Sequence, residues 1–184
     1  MKDLKLFIEL TRLNKPIGFM LLFWPCSWGL AYAHTINPNI KLLIYYLILF
    51  FFGSLFMRSA GCIVNDIVDK DFDKKVERTK KRPIASGKIS INKSFFYVLV
   101  LCFLAFLILI QFNLFTILLG MGSMFLAFSY PFMKRITYWP QLFLGVTFNW
   151  GIIMSWTAFN NDINSNIVFL YVSAIFWTLG YDTI

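Results

Sequence analysis

Six stretches of roughly twenty mostly apolar residues follow one another along this chain of 184 residues. They fall at 16–33, 42–64, 95–112, 114–132, 139–159 and 167–184. Each is about the length a helix needs to cross the hydrocarbon core of a bilayer. A soluble chain would break such runs at helix or strand period and would need more polar residues to cover them. Only 14% of the residues are charged, against about 25% in soluble domains. Lipid offers no hydrogen bonds, so spanning segments must pair their backbones internally as helices or a closed barrel. These runs lack the alternation of barrel strands and exceed their length. The expected fold is all-α: a polytopic transmembrane helical bundle, one membrane domain over 1–184, with a polar loop at 65–93.

Lysine and arginine positions set the orientation. Four precede the first span (Lys2, Lys5, Arg12, Lys15). Nine lie in the loop after the second (Lys70, Lys74, Lys75, Arg78, Lys80, Lys81, Arg82, Lys88, Lys93), and two follow the fourth (Lys134, Arg135). Lys41 alone lies on the other side, and Arg58 lies within a span. The bias places the N-terminus and the loop in the cytoplasm, with the lipid bilayer as the surroundings. The net charge of +8 then reads as topology, and nucleic acid is not an expected partner. No obligate protein partner is indicated. Ala31-Tyr32-Ala33 resembles a signal cleavage site, but Trp24, Pro25 and Trp28 interrupt the preceding apolar run, so the first span is expected to be retained. Cys26, Cys62 and Cys102 have no metal-ligand spacing and read as small buried side chains. His34 reads as interfacial, and Gly120 and Gly122 as packing positions.

Five of the nine acidic residues crowd into twelve positions: Asp66, Asp69, Asp71, Asp73 and Glu77. If the second span continues as helix, Asn65, Asp69 and Asp73 share one face, Asp66 lies beside them and Asp71 points away. One reading is a solvated helix end neutralised by nearby basic residues. The other is a divalent cation site, because carboxylate and amide oxygens are hard ligands suited to Mg²⁺ with substrate phosphates. Arg78 and Arg82 follow, with Pro83 ending any helix there. Paired guanidinium groups, with Lys70 nearby, suit a diphosphate; the alternative is a loop that only fixes topology. Arg58 lies seven residues before Asn65 on the same face, and a charge at that depth usually faces a polar cavity. Arg58 and Asp66 are therefore candidate cavity residues. A channel or transporter would want polar residues along several spans, and outside the acidic run Arg58 is the main one.

The run Asn65-Asp66-Ile67-Val68-Asp69-Lys70-Asp71-Phe72-Asp73 resembles the N-D-x-x-D-x-x-x-D motif of the UbiA family of intramembrane aromatic prenyltransferases. Asn14-Lys15-Pro16-Ile17-Gly18, Gly61-Cys62, the 78–87 segment reading R-T-x-x-R-P-x-x-S-G and the 130–135 segment reading Y-P-F-M-K-R resemble its 4-hydroxybenzoate polyprenyltransferase branch. The resemblance implies nine helices around a central cavity, of which about six are present. It implies transfer of a polyprenyl group from polyprenyl diphosphate to the ring of 4-hydroxybenzoate, in ubiquinone biosynthesis in a bacterial inner membrane. Asn65, Asp69 and Asp73 would bind Mg²⁺, with Asp69 and Asp73 catalytic. Arg135 would hold the benzoate carboxylate, and Arg78 and Arg82 match loop-motif positions. The chain stops at Tyr181-Asp182-Thr183-Ile184, which resembles the lead-in to a second aspartate motif, so a truncated chain is expected. The alternatives are an inactive remnant of such an enzyme, or another aromatic or haem prenyltransferase of the family.

Overall fold

The computed structural model describes residues 2–183, with the side chains of Lys2, Pro131, Lys134 and Arg135 outside that description. Among the described residues nine helical segments follow in order: α1 (Lys2–Thr11), α2 (Ile17–Ile36), α3 (Ile40–Val68), α4 (Lys70–Asp73), α5 (Ile91–Leu109), α6 (Leu114–Ile136), α7 (Pro140–Asn149), α8 (Gly151–Asn160) and α9 (Ser165–Thr183). Among the described residues three stretches are long and apolar enough to cross a membrane on length and composition: Ile40–Val68, Ile91–Leu109 and Pro140–Asn160. The sequence suggests six. α2 and α9 have spanning length, but tryptophan, tyrosine and hydroxyl residues dilute them, and both helices face a cavity.

Turn chemistry fixes the starts. Asn39 accepts a hydrogen bond from Leu42 N, Ser90 from Lys93 N and Asn113 from Thr116 N, each satisfying a donor the helix cannot pair itself. Asn113 also donates from Nδ2 to the carbonyls of Thr157 and Ala158 at the end of α8. α2 continues through Pro25, and α6 through Pro131. The fifth expected span is two helices that meet at Trp150. His34 Nδ1 accepts from Asn39 N in the turn between α2 and α3, a structural role.

The helices pack through small residues, as lipid-solvated bundles do. A Cβ at Gly29 of α2 would meet Ser155 Oγ and approach Ile152 O to 2.5 Å on α8. One at Gly151 would meet Cys26 Sγ, and one at Gly120 would lie 2.5 Å from Leu109 Cδ1. Gly122 has nothing within 4 Å, so of the two expected packing glycines only Gly120 is in close contact. The three cysteines are free; Cys26 and Cys62 are buried and Cys102 half-buried. Large apolar side chains cover the outside, among them Phe96, Phe103, Phe125 and Phe169. In water such a surface would drive association; in a bilayer it is the solvated face. The chain is an integral membrane protein.

The segment after α4 is folded down and does not trail into solvent. Ile84 and Ile89 are buried in one core with Leu10 of α1, Ala60 and Ile63 of α3, and Val98 and Leu101 of α5. Gly87 makes the return with φ 74°, a conformation that favours glycine. Gly29→Ala should destabilise the bundle by about 1–3 kcal/mol through overpacking. Gly122→Ala should be neutral or stabilising by up to about 1 kcal/mol. Thermal unfolding of the detergent-solubilised protein checks both.

Candidate active site

At about 1.5 Å per residue, α3 exceeds the thickness of a bilayer core, which lets its last turn reach the polar surface. There α3 ends at Val68, and Asp69 is its C-cap. The helical register survives the break: Asp69 N donates to Asn65 O at 2.9 Å and Asp73 N to Asp69 O at 2.8 Å. Asn65, Asp69 and Asp73 therefore keep the one-turn spacing expected of a continuous helix. Asp71 projects into solvent, with 85% of its side chain exposed and a 3.5 Å ion pair to Lys74.

Asp66 anchors this end of the molecule. Its side chain is 3% exposed, and Oδ1 accepts from Arg12 Nη2 at 2.6 Å and from Arg82 Nη1 at 3.1 Å. Arg82 Nη1 also donates to Asp73 Oδ2 at 2.8 Å. Two carboxylates and two guanidinium groups thus join α1, α3, α4 and the loop. Thr79 Oγ1 donates to Asp73 O and closes the turn beneath. Arg12 takes φ 57°, a left-handed conformation costing a non-glycine residue about 1 kcal/mol or more. That conformation ends α1, and the ion pair with Asp66 accompanies it.

Above this anchor opens a cavity of about 430 Å³ bounded by α2, α3, α6, α7 and α9. Arg12 and Arg82 form part of its wall, with Arg58 and Asn65 on α3, Tyr130 on α6, Asn149 on α7 and Asp182 on α9. Asp66 stands behind this wall and supports it through the two arginines. Asn149 is fully buried and donates from Nδ2 to Gly145 O, Ala174 O and Thr178 Oγ1, joining α7 to α9. A second, apolar cavity of about 430 Å³ adjoins the first, sharing Leu22, Met57, Ala127 and Thr147. Arg78 is exposed and Lys70 half-buried. Arg135 is in the last turn of α6, but its side chain lies outside the described residues.

Asn65, Asp69 and Asp73 supply hard oxygen donors at one-turn intervals, a set that suits Mg²⁺ when substrate phosphates and water complete the shell. Among the described residues no three His, Cys, Asp or Glu side chains converge; the first donor of the set is an amide, and the Asp73 carboxylate is shared with Arg82. Sequence reasoning did not find Arg12 or Asn149. Arg12 reads as one more topological charge, and nothing local shows that α1 folds back. Asn149 carries the signal of an amide in an apolar span.

These features define a class: an integral membrane protein whose helices enclose a polar, arginine-bearing cavity beside an aspartate-rich turn. The chain belongs to the UbiA prenyltransferase family, whose model matches residues 22–184. It is 47% identical over 183 residues to the mitochondrial 4-hydroxybenzoate polyprenyltransferase of Caenorhabditis elegans, covering 99% of this chain and 51% of that protein. It is 45% identical over 175 residues to the 4-hydroxybenzoate octaprenyltransferase of Blochmanniella pennsylvanica, covering 95% and 59%. The chain thus spans about half the length of the curated relatives it matches. The apo structure of a UbiA homolog from Aeropyrum pernix K1 superposes with a TM-score of 0.73 at 26% identity, covering 90% of this chain and 60% of that one. A UbiA homolog from Archaeoglobus fulgidus bound to GPP and Mg²⁺ shares the fold, with a TM-score of 0.75 at 15% identity, covering 96% and 60%.

Asp66→Ala would leave Arg12 without its buried counter-charge and Arg82 with Asp73 alone, and should destabilise the protein by about 3 kcal/mol. Asp71→Ala, at an exposed pair, should change stability by less than about 0.5 kcal/mol. Parallel thermal melts in detergent distinguish the two.

Proposed function

We propose that the protein transfers a polyprenyl group from polyprenyl diphosphate to the ring of 4-hydroxybenzoate, in ubiquinone biosynthesis. The observation that carries this reading is the pair of adjoining cavities, one polar and bearing arginines, the other apolar, beside the Asn65–Asp69–Asp73 face. An allylic diphosphate has the same division: a charged head and a long hydrocarbon tail. The names of the relatives support the choice of substrates.

In this reading Asn65, Asp69 and Asp73 hold Mg²⁺, and Asp69 and Asp73 are essential to catalysis. When bound, Mg²⁺ supplies Lewis-acid stabilisation of the departing diphosphate; its presence with GPP in a structure of this fold supports the assignment. Lys70, Arg78 and Arg82 neutralise the diphosphate oxygens from the loop. Binding there draws Arg82 from Asp73 towards phosphate and frees a carboxylate oxygen. The apolar cavity receives the tail. Tryptophan, tyrosine and phenylalanine side chains face the polar cavity, where they exclude water from the reacting carbon and present ring faces to developing positive charge. The C–O bond to the allylic carbon breaks, a ring carbon beside the acceptor hydroxyl forms the new bond, and that carbon's proton leaves. The protein sits in a bacterial inner membrane, N-terminus and aspartate-rich loop cytoplasmic, because fifteen of its seventeen basic residues lie on that side. Residues 65–93 act as the cytoplasmic loop of one membrane domain.

The test is a prenyl-transfer assay in membranes containing the full-length protein. Product should form with Mg²⁺ and disappear with chelator. Asp69→Ala and Asp73→Ala should each lose more than the about 10–100-fold typical of a lost outer-shell partner. Normal turnover by either variant would refute the metal role.

A further inference from the structure

Two ion pairs fix how α1 lies. At its N-terminal end Asp3 is tied to Lys93, in the first turn of α5, at 3.1 Å. Just past its C-terminal end Arg12 is tied to Asp66, in the last turn of α3, at 2.6 Å. Between them Phe7 meets Tyr97 edge-on, with ring centres 5.2 Å apart. Helices α3 and α5 run antiparallel. Val98 and Leu101 share a core with Ala60 and Ile63, whereas Ile108 and Leu109 pack with Leu49 and Phe50. The first turn of α5 and the last turn of α3 therefore emerge at the same membrane surface. A ten-residue helix, about 15 Å long, that joins them lies along that surface and does not cross the bilayer.

Rotation about its axis divides α1 into three faces. Leu6, Phe7 and Leu10 meet the bundle core. Leu4, 65% exposed, and Ile8, half-buried, stand one turn apart on the next face. Lys5 and Glu9, both exposed, stand one turn apart on the third. A helix wholly in water gains nothing from the second face. A helix at the lipid–water boundary uses all three, with protein beside it, acyl chains beneath and headgroups above. The neighbouring residues set the same level. Ile17 at the start of α2 and Phe95 and Phe96 in α5 are exposed apolar side chains that belong with hydrocarbon. Lys15 and Lys93 lie within one turn of them and are exposed. Lys88 is exposed next to Ile89, which packs with Leu10 of α1. Asp3 is already matched by Lys93, which leaves Glu9 against Lys5, Lys15 and Lys88. The surplus is positive and suits a phosphodiester anion at the headgroup level.

We propose that α1 and the first turn of α5 form a docking surface for anionic phospholipid, with Leu4 and Ile8 among the acyl chains and Lys5, Lys15 and Lys88 on the headgroup phosphates. Arg12 follows α1 directly and also lines the polar cavity, so lipid that holds α1 down steadies that part of the cavity wall. The docking surface is independent of the reaction the cavity serves.

The experiment places the purified protein in nanodiscs of phosphatidylcholine, with or without phosphatidylglycerol, and follows hydrogen exchange of the α1 amides. Phosphatidylglycerol should slow their exchange by about tenfold, the combined effect of two or three lysines at a partly anionic surface. High salt should remove most of that protection. Lys5→Glu combined with Lys15→Glu should abolish the protection and leave exchange in pure phosphatidylcholine close to that of the unaltered protein. Lys81→Glu, at an exposed lysine of the loop, should keep it. Leu4→Asp tests the apolar face by sign. An acid in the first turn stabilises a helix in water, so faster exchange in both bilayers supports contact with acyl chains, and slower or unchanged exchange overturns it. Equal exchange with and without phosphatidylglycerol overturns the proposal, as does protection that survives in the double variant or in high salt. Inorganic phosphate or polyglutamate that reproduces the protection in pure phosphatidylcholine also overturns it, by assigning the surface to a free anion or to an acidic protein. Should the double variant fail to fold, the lipid and salt comparisons on the unaltered protein decide.

Discussion

A carboxylate buried near lipid must be matched by positive charge, and the matching of Asp66 organises everything around it. Its two arginines come from different parts of the chain, Arg12 at the end of α1 and Arg82 in the loop after α4. Stripping water from these groups is costly, and only close, hydrogen-bonded geometry offsets that cost. The network is therefore stringent. It holds the loop against α3, sets Arg82 beside Asp73, and brings two guanidinium groups to the wall of the cavity.

The same constraint governs the rest of the bundle. Several polar side chains within the helices are paired with one another or with backbone: Asn149 with three acceptors, Thr116 with Thr157, and Trp150 Nε1 with Leu119 O. The hydrocarbon surroundings supply no alternative partner. Against that background the buried Nε of Arg58 and Nδ2 of Asn160 stand without a hydrogen-bond partner.

Much of this was legible in the sequence. Long apolar runs dictated helices, and the one-turn spacing expected of Asn65, Asp69 and Asp73 is kept by the backbone hydrogen bonds from Asp69 N to Asn65 O and from Asp73 N to Asp69 O. Family membership followed from the motif and is shown by the match over 22–184. What stayed hidden depends on long-range packing. Nothing near Ile84 and Ile89 shows that they enter the core with Leu10. The fifth apolar run gives no sign of breaking at Trp150, because that break is set by contacts with α6 and α9. Arg12 and Arg82 are seventy residues apart, and their common partner appears only when α1 folds back.

The two ends of α1 are fastened unequally. Its C-terminal end is tied by the buried Arg12–Asp66 pair, its N-terminal end by Asp3 and Lys93, an exposed pair at 3.1 Å. An exposed pair contributes about 0–1 kcal/mol and weakens as salt rises. With Leu6 and Phe7 packed on the core, thermal motion should therefore swing the first turn of this helix outward like the free edge of a door, Asp3 travelling further than Arg12. Ionic strength would act as the latch spring, loosening the outer edge while the hinge stays put.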